Sequence, residues 1–190
     1  MSVNLQEKFG QGLTPQQFMD GMTKNKEKFL EYYERFTWSD ESNRQFFQSL
    51  RSHGNLRCLI VAADWCGDVV RNVPVVFRVL EETGIPVEVL IMEEHTDVID
   101  RFLTLGGRSI PKVIFTDSAG NVLGDWGPRP ERVQEAMVRF KEKYPDREHP
   151  DYQEQLKATY QEIQKRYGEG TAYHAEIEQE LKRLLSSFVK

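Results

Sequence analysis

The chain has 190 residues, 39% hydrophobic and 29% charged, and its 25 Lys and Arg against 30 Asp and Glu leave a formal net charge of −5. That length and balance suit one folded domain with its own core, and no apolar run reaches the ~18 residues of a membrane helix. An acidic chain without a long basic block is a poor match for nucleic acid or an anionic membrane, so neither is expected as a partner.

The opening "MSVNLQEKFGQG" lacks the basic patch and apolar block of a secretory leader, which points to a cytoplasmic protein. Residues 1–54 read as a helical extension. In "TPQQFMDGM", Thr14, Pro15 and Gln17 form a capping-box pattern. "TKNKEKFLEYYERF" puts Phe29, Leu30, Tyr33 and Phe36 on one helical stripe. "SDESNRQFFQSLRSHG" starts at Ser39 as cap, turns Phe46, Phe47 and Leu50 inward, and stops at Gly54.

Periodicity then changes. "RCLIVAA" (57–63) is a continuous apolar run of the kind buried in a sheet. A helix from Cys66 to about Thr83 follows, then a strand at 87–94 and a helix through "TDVIDRFLTLGG". "PKVIFTD" (111–117) and "NVLGDWG" (121–127) pair as a hairpin across "SAG". "PERVQEAMVRFKEKY" (130–144) is an amphipathic helix with Val133, Met137, Phe140 and Tyr144 facing inward. Residues 55–144 therefore read β-α-β-α-β-β-α, an α/β fold with a mixed sheet covered by helices.

Residues 145–190 follow a Pro-flanked charged break. Tyr152, Leu156, Tyr160, Ile163 and Tyr167 mark one stripe, and Tyr173, Ile177, Leu181, Leu184 and Phe188 mark another. They are expected to form a helical hairpin sharing one groove, packed over the sheet. The sequence leaves the oligomeric state open.

Two cysteines, Cys58 and Cys66, are too few for a disulfide framework. The histidines at 53, 95, 149 and 174 lack metal-ligand spacing and read mostly as surface residues, so no metal is expected. Cys58 sits inside the apolar strand as core. Cys66 falls where strand turns into helix, in "VAADWCGDVV" (61–70). A thiol in that first turn faces unpaired N–H groups and the positive end of the helix dipole, which favours a partly ionised, nucleophilic sulfur. Asp64 and Asp68 beside it are expected near solvent, opposing ionisation modestly.

Four features at characteristic spacings carry a family resemblance: "WCGD" (65–68), Pro74 eight residues after Cys66, Pro111 in "SIPKVIF", and Gly127 sixteen residues further on. Over about residues 55–144 the chain resembles the thioredoxin superfamily. The resemblance implies a thioredoxin-like core and a catalytic Cys66. It also implies a kink at Pro74 and a cis bond before Pro111. A groove at Trp65, Gly67, Asp68, Ile110 and Pro111 would hold an extended substrate, with Ile110 offering its backbone and Trp65 either an apolar wall or simple packing. Trp126 and Arg129, in "DWGPRP", fall where the family's last loop borders that groove. Each reads equally as a substrate contact or as packing and surface charge.

The pattern also departs from the family. Val69 occupies the position of the resolving cysteine, and Ile60 the place of a buried acid that serves it. Cys66 can form a mixed disulfide but needs an outside thiol to be released. Monothiol exchange or thiol sensing is the leading expectation, with protein disulfides or low-molecular-weight thiols as partners and no bound cofactor. A non-catalytic peptide-binding module is the alternative. A glutathione-held iron–sulfur cluster, as in monothiol glutaredoxins, is disfavoured because the Phe-Ser after Cys-Gly is missing.

Overall fold

The computed structural model describes residues 2–189. Four strands form one sheet in the order β2-β1-β3-β4. β1 (Leu56–Ala62) runs parallel to β2 (Val87–Ile91) and antiparallel to β3 (Lys112–Asp117). β3 pairs antiparallel with β4 (Val122–Trp126). Having neighbours on both edges and helices on both faces, β1 needs apolar residues throughout, and all but Arg57 are buried. A parallel β1–β2 pair requires a crossover, and α4 (Gly67–Glu81) supplies it with Pro74 inside and ten residues buried.

The N-terminal helices are α1 (Pro15–Gly21), α2 (Lys26–Arg35) and α3 (Glu41–Ser49). The Thr14 capping box is present in both directions, at 3.1 Å from the Gln17 N–H to Thr14 Oγ1 and 2.9 Å from the Thr14 N–H to Gln17 Oε1. Phe18, Phe29 and Phe77 join α1, α2 and α4 through ring contacts of 5.8–6.3 Å. Asp40, rather than Ser39, caps α3 by accepting from the Ser42 N–H at 2.7 Å. A carboxylate there also meets the positive helix end, while Ser39 donates its N–H and hydroxyl to Glu178. Tyr32 takes the inner position expected of Tyr33, because α2 turns that flank toward Tyr173 and His174.

Past β2, the expected long helix is the single turn α5 (Thr96–Ile99). Leu105 and Gly106 adopt positive φ, +50° and +79°, and Arg108 clamps Asp100 at 2.6 and 2.9 Å. The chain there turns back toward Pro111 instead of continuing as helix. At the other end of the hairpin Gly127 has φ +113°, and a Cβ on it would lie 2.2 Å from the Pro111 carbonyl oxygen. Only glycine allows that approach.

α6 (Glu131–Lys143), α7 (Tyr152–Tyr167) and α8 (His174–Ser186) complete the chain. The last two do not share one groove: α7 lies along α6, whereas α8 packs on α3, α4 and β4. Tyr160 is 48% exposed, and Thr159 takes the inner place on α7. The histidine expectation also fails in part, because His95 and His174 are buried. His174 lies within the aromatic cluster of Tyr32, Phe36 and Tyr173. Among the described residues, no helix is long and apolar enough to cross a membrane.

Candidate functional site

The site forms where β1 ends. The chain turns through Ala63–Cys66, with the Cys66 N–H donating to the Ala63 carbonyl at 3.3 Å, and Cys66 becomes the N-cap of α4. The Ile110–Pro111 bond is cis. Cys66 Sγ donates to the Ile110 carbonyl at 3.5 Å, so the two expected halves of the site meet.

The charge state of the sulfur departs from expectation. Burial pushes the Cys66 thiol above its ordinary pKa. The Val69 and Asp68 N–H groups and Arg129 act the other way, while the Asp68 carboxylate adds to the rise. The helix-end groups are present but are outweighed, because desolvation penalises the anion. Cys66 is therefore mostly thiol at neutral pH. Cys58 is buried, and its thiol is pushed up by desolvation alone.

Asp68 differs from the solvated acid expected, whereas Asp64 stays near solvent. The Asp68 side chain is 16% exposed and pairs with Arg129, itself 8% exposed, at 2.8 Å. It also accepts from the Tyr167 hydroxyl at 2.8 Å. Asn72, one turn along α4, donates to Tyr167 Oη at 2.8 Å and to the Pro128 carbonyl at 3.1 Å. Arg129 is thus neither a free surface charge nor loosely placed. Burial would weaken its charge, but Asp68 offsets this and holds the guanidinium protonated. Asp64 ties the site loop to the α1–α2 connection, accepting from the Thr23 and Lys24 N–H groups at 2.9 and 3.0 Å.

The remaining expected residues divide by position. Trp65 is 49% exposed, with its Nε1 donating to Glu93 at 2.6 Å. It walls a cleft of about 290 Å³ lined also by Leu13, Phe18, Met22 and Ile91. Gly67 is exposed, and a Cβ there would meet nothing within 4 Å, which leaves its backbone approachable. Ile110 and Pro111 are buried and present backbone rather than side chain. Trp126 takes the packing alternative, buried in the β4–α8 packing, with Nε1 donating to Glu180 at 3.0 Å. Val69 is fully buried at the resolving position.

Sequence reasoning missed Tyr167 and Asn72 as parts of the site. Tyr167 stood in a stripe read as packing, and Asn72 is a polar residue on the buried face of α4 that the apolar pattern passes over. Among the described residues, no cluster of three or more His, Cys, Asp or Glu is placed to hold a metal.

A thioredoxin family model matches residues 12–148. A protein of unknown function from Pseudomonas aeruginosa has a similar structure, with TM-score 0.69 and 16% identity over 98% of this chain and 99% of that one. An HIV epitope-scaffold is similar at TM-score 0.65 and 15% identity, over 97% of this chain and 99% of that one. No curated protein matches significantly. At these identities the two structures speak to fold alone, but their coverage extends the likeness to the helices on both sides of the core. The family match spans most of the chain, and the half-buried Cys66 meets the backbone before a cis proline as its motifs imply: the chain belongs to the thioredoxin family.

Proposed function

We propose that the protein is a monothiol exchange protein that captures disulfides as long-lived mixed disulfides on Cys66. The Cys66 thiolate attacks a partner R–S–S–R′, a Cys66–S–S–R bond forms, and R′S⁻ leaves and takes a proton. Cys66 is oxidised and one sulfur of the partner is reduced. The observation that carries this reading is the 3.5 Å contact of Cys66 Sγ with the Ile110 carbonyl. That contact supports the reading, because an extended substrate would pair with the backbone beside the sulfur.

Persistence follows from two features. Val69 offers no internal thiol to displace the partner. A thiol whose pKa is raised is also a poor leaving group, so external thiols release it slowly. Such a protein reports or stores the oxidation state of its partners, in a reducing compartment such as the cytoplasm. The test is incubation of the full chain with a disulfide-bearing peptide, followed by intact mass. An adduct on Cys66 that is absent from Cys66→Ser is expected, and no adduct under any oxidising condition would overturn the reading.

The exposed Trp65 and its apolar cleft favour a second reading, non-covalent docking of extended peptides. Peptide retention unchanged in Cys66→Ser would select it.

A further inference from the structure

A second cleft lies on the other side of the site, between the 104–109 turn, α6 and α7, with a volume of about 320 Å³. Its charge is of one sign. Arg129, Lys141 and Arg147 line it, and among the described residues no Asp or Glu does, in a chain whose net charge is −5. Arg129 is paired with Asp68 at two points and donates to Gln134, so it adds little free charge to the cleft. Lys141 is not cancelled in that way, because its Nζ donates at 2.6 Å to a neutral group, the Tyr152 hydroxyl. Arg147 is exposed at the rim. Gln134 and Ser109 add neutral polar groups.

The cleft adjoins residues next to the sulfur in two places. Ser109 lines it, and the carbonyl of the next residue, Ile110, is the one that accepts from Cys66 Sγ. Arg129 lines it and grips Asp68, two residues after Cys66. The volume stands at the lower end of the ~300–1,000 Å³ typical of small-molecule sites, too small for a folded partner. Lys141 and Arg147, an ammonium and a guanidinium without a facing acid, favour carboxylates.

We propose that this cleft seats the anionic end of a small, carboxylate-bearing thiol whose sulfur exchanges with Cys66. The inference rests on the monothiol reading and names its partner class. In the forward step the Cys66 thiolate attacks one sulfur of the symmetrical disulfide RS–SR. The Cys66–S–S–R bond forms, RS⁻ departs and takes a proton from water, Cys66 is oxidised and one RS group is reduced. Attack by RS⁻ on the R-side sulfur reverses the step and frees Cys66.

The test compares 3,3′-dithiodipropionate, which carries two carboxylates, with the neutral bis(2-hydroxyethyl) disulfide, by the rate of adduct formation on Cys66 in the full chain. At low ionic strength the anionic probe is expected to react about threefold to tenfold faster despite the net negative protein. Arg147→Gln, at an exposed position that folding does not need, lowers the ratio of the two rates, and Lys141→Gln lowers it further. Lys157→Gln removes one exposed charge from α7 outside the cleft and leaves the ratio unchanged. A ratio at or below one, or an equal loss in Lys157→Gln, overturns the cleft assignment while leaving Cys66 exchange standing. Failure of both probes to react overturns the monothiol reading and this inference with it.

Discussion

Arg129 holds Asp68 at two points, with Nε 3.0 Å from Oδ1 and Nη2 2.8 Å from Oδ2. The pair brings opposite charges to bear on one sulfur, since Asp68 raises the Cys66 pKa and Arg129 lowers it. Asp68→Asn removes the raising charge and leaves Arg129 unopposed, so the alkylation midpoint of Cys66 moves to lower pH. Arg129→Gln moves it to higher pH. Iodoacetamide rates across pH check both, and shifts in the same direction would show that the pair does not control the thiol. Each variant strands a buried charge, which costs about 3–5 kcal/mol, measurable by urea unfolding.

Trp65 is exposed and walls the apolar cleft, so it is expected to contribute more to peptide binding than to folding. Trp65→Ala is expected to change unfolding free energy by about 0.5 kcal/mol or less, as exposed substitutions do. Affinity for an extended apolar peptide, measured in a Cys66→Ser background to exclude covalent capture, falls by about 2 kcal/mol where the indole anchors it. Equal affinity in both proteins would remove Trp65 from the groove.

Which features were legible in the sequence follows from how local their causes are. The Thr14 cap, the apolar β1 and the glycine at 127 are set by neighbouring residues or by backbone freedom, and a motif carries them. The α5 stub ends where Arg108 clamps Asp100 and Leu105 and Gly106 take positive φ, which helical periodicity in "TDVIDRFLTLGG" does not register. Cys66 illustrates the same limit in electrostatics. Its helix-end N–H groups are readable from position, but the desolvation that outweighs them comes from tertiary packing. The Asp68–Arg129–Tyr167 network joins three segments far apart in the chain, and no local pattern links them.

His174 supplies a pH dependence remote from the site. It is 3% exposed, and burial, with Arg35 nearby, pushes its pKa down to about 4. The folded protein keeps the ring neutral, while the unfolded chain binds a proton near the ordinary value of ~6.5. Stability from this group is therefore whole above pH ~6.5 and is lost as pH falls toward 4, by up to about 3 kcal/mol. His174→Leu removes this slope whatever its own stability. Unfolding free energies of parent and variant at pH 7 and 4.5 check it, and parallel slopes would mean that His174 titrates normally.

Val69→Cys tests the proposed mechanism most directly, because it supplies the one group whose absence defines it. Val69 is fully buried in the first turn of α4, three residues after Cys66. The substitution trades a buried isopropyl group for a smaller thiol, at about 1 kcal/mol, so the variant should fold. A probe disulfide loaded on Cys66 stays in place in the parent after excess reagent is removed, because release needs an external thiol. In the variant the new thiol attacks Cys66 Sγ from within the same turn, a unimolecular step favoured by proximity. The probe leaves and a disulfide closes between residues 66 and 69. Intact mass then shows loss of the probe without added reductant. A folded variant that keeps its probe as long as the parent would mean that the residue 69 side chain cannot reach the sulfur, and that persistence has a cause other than the missing thiol.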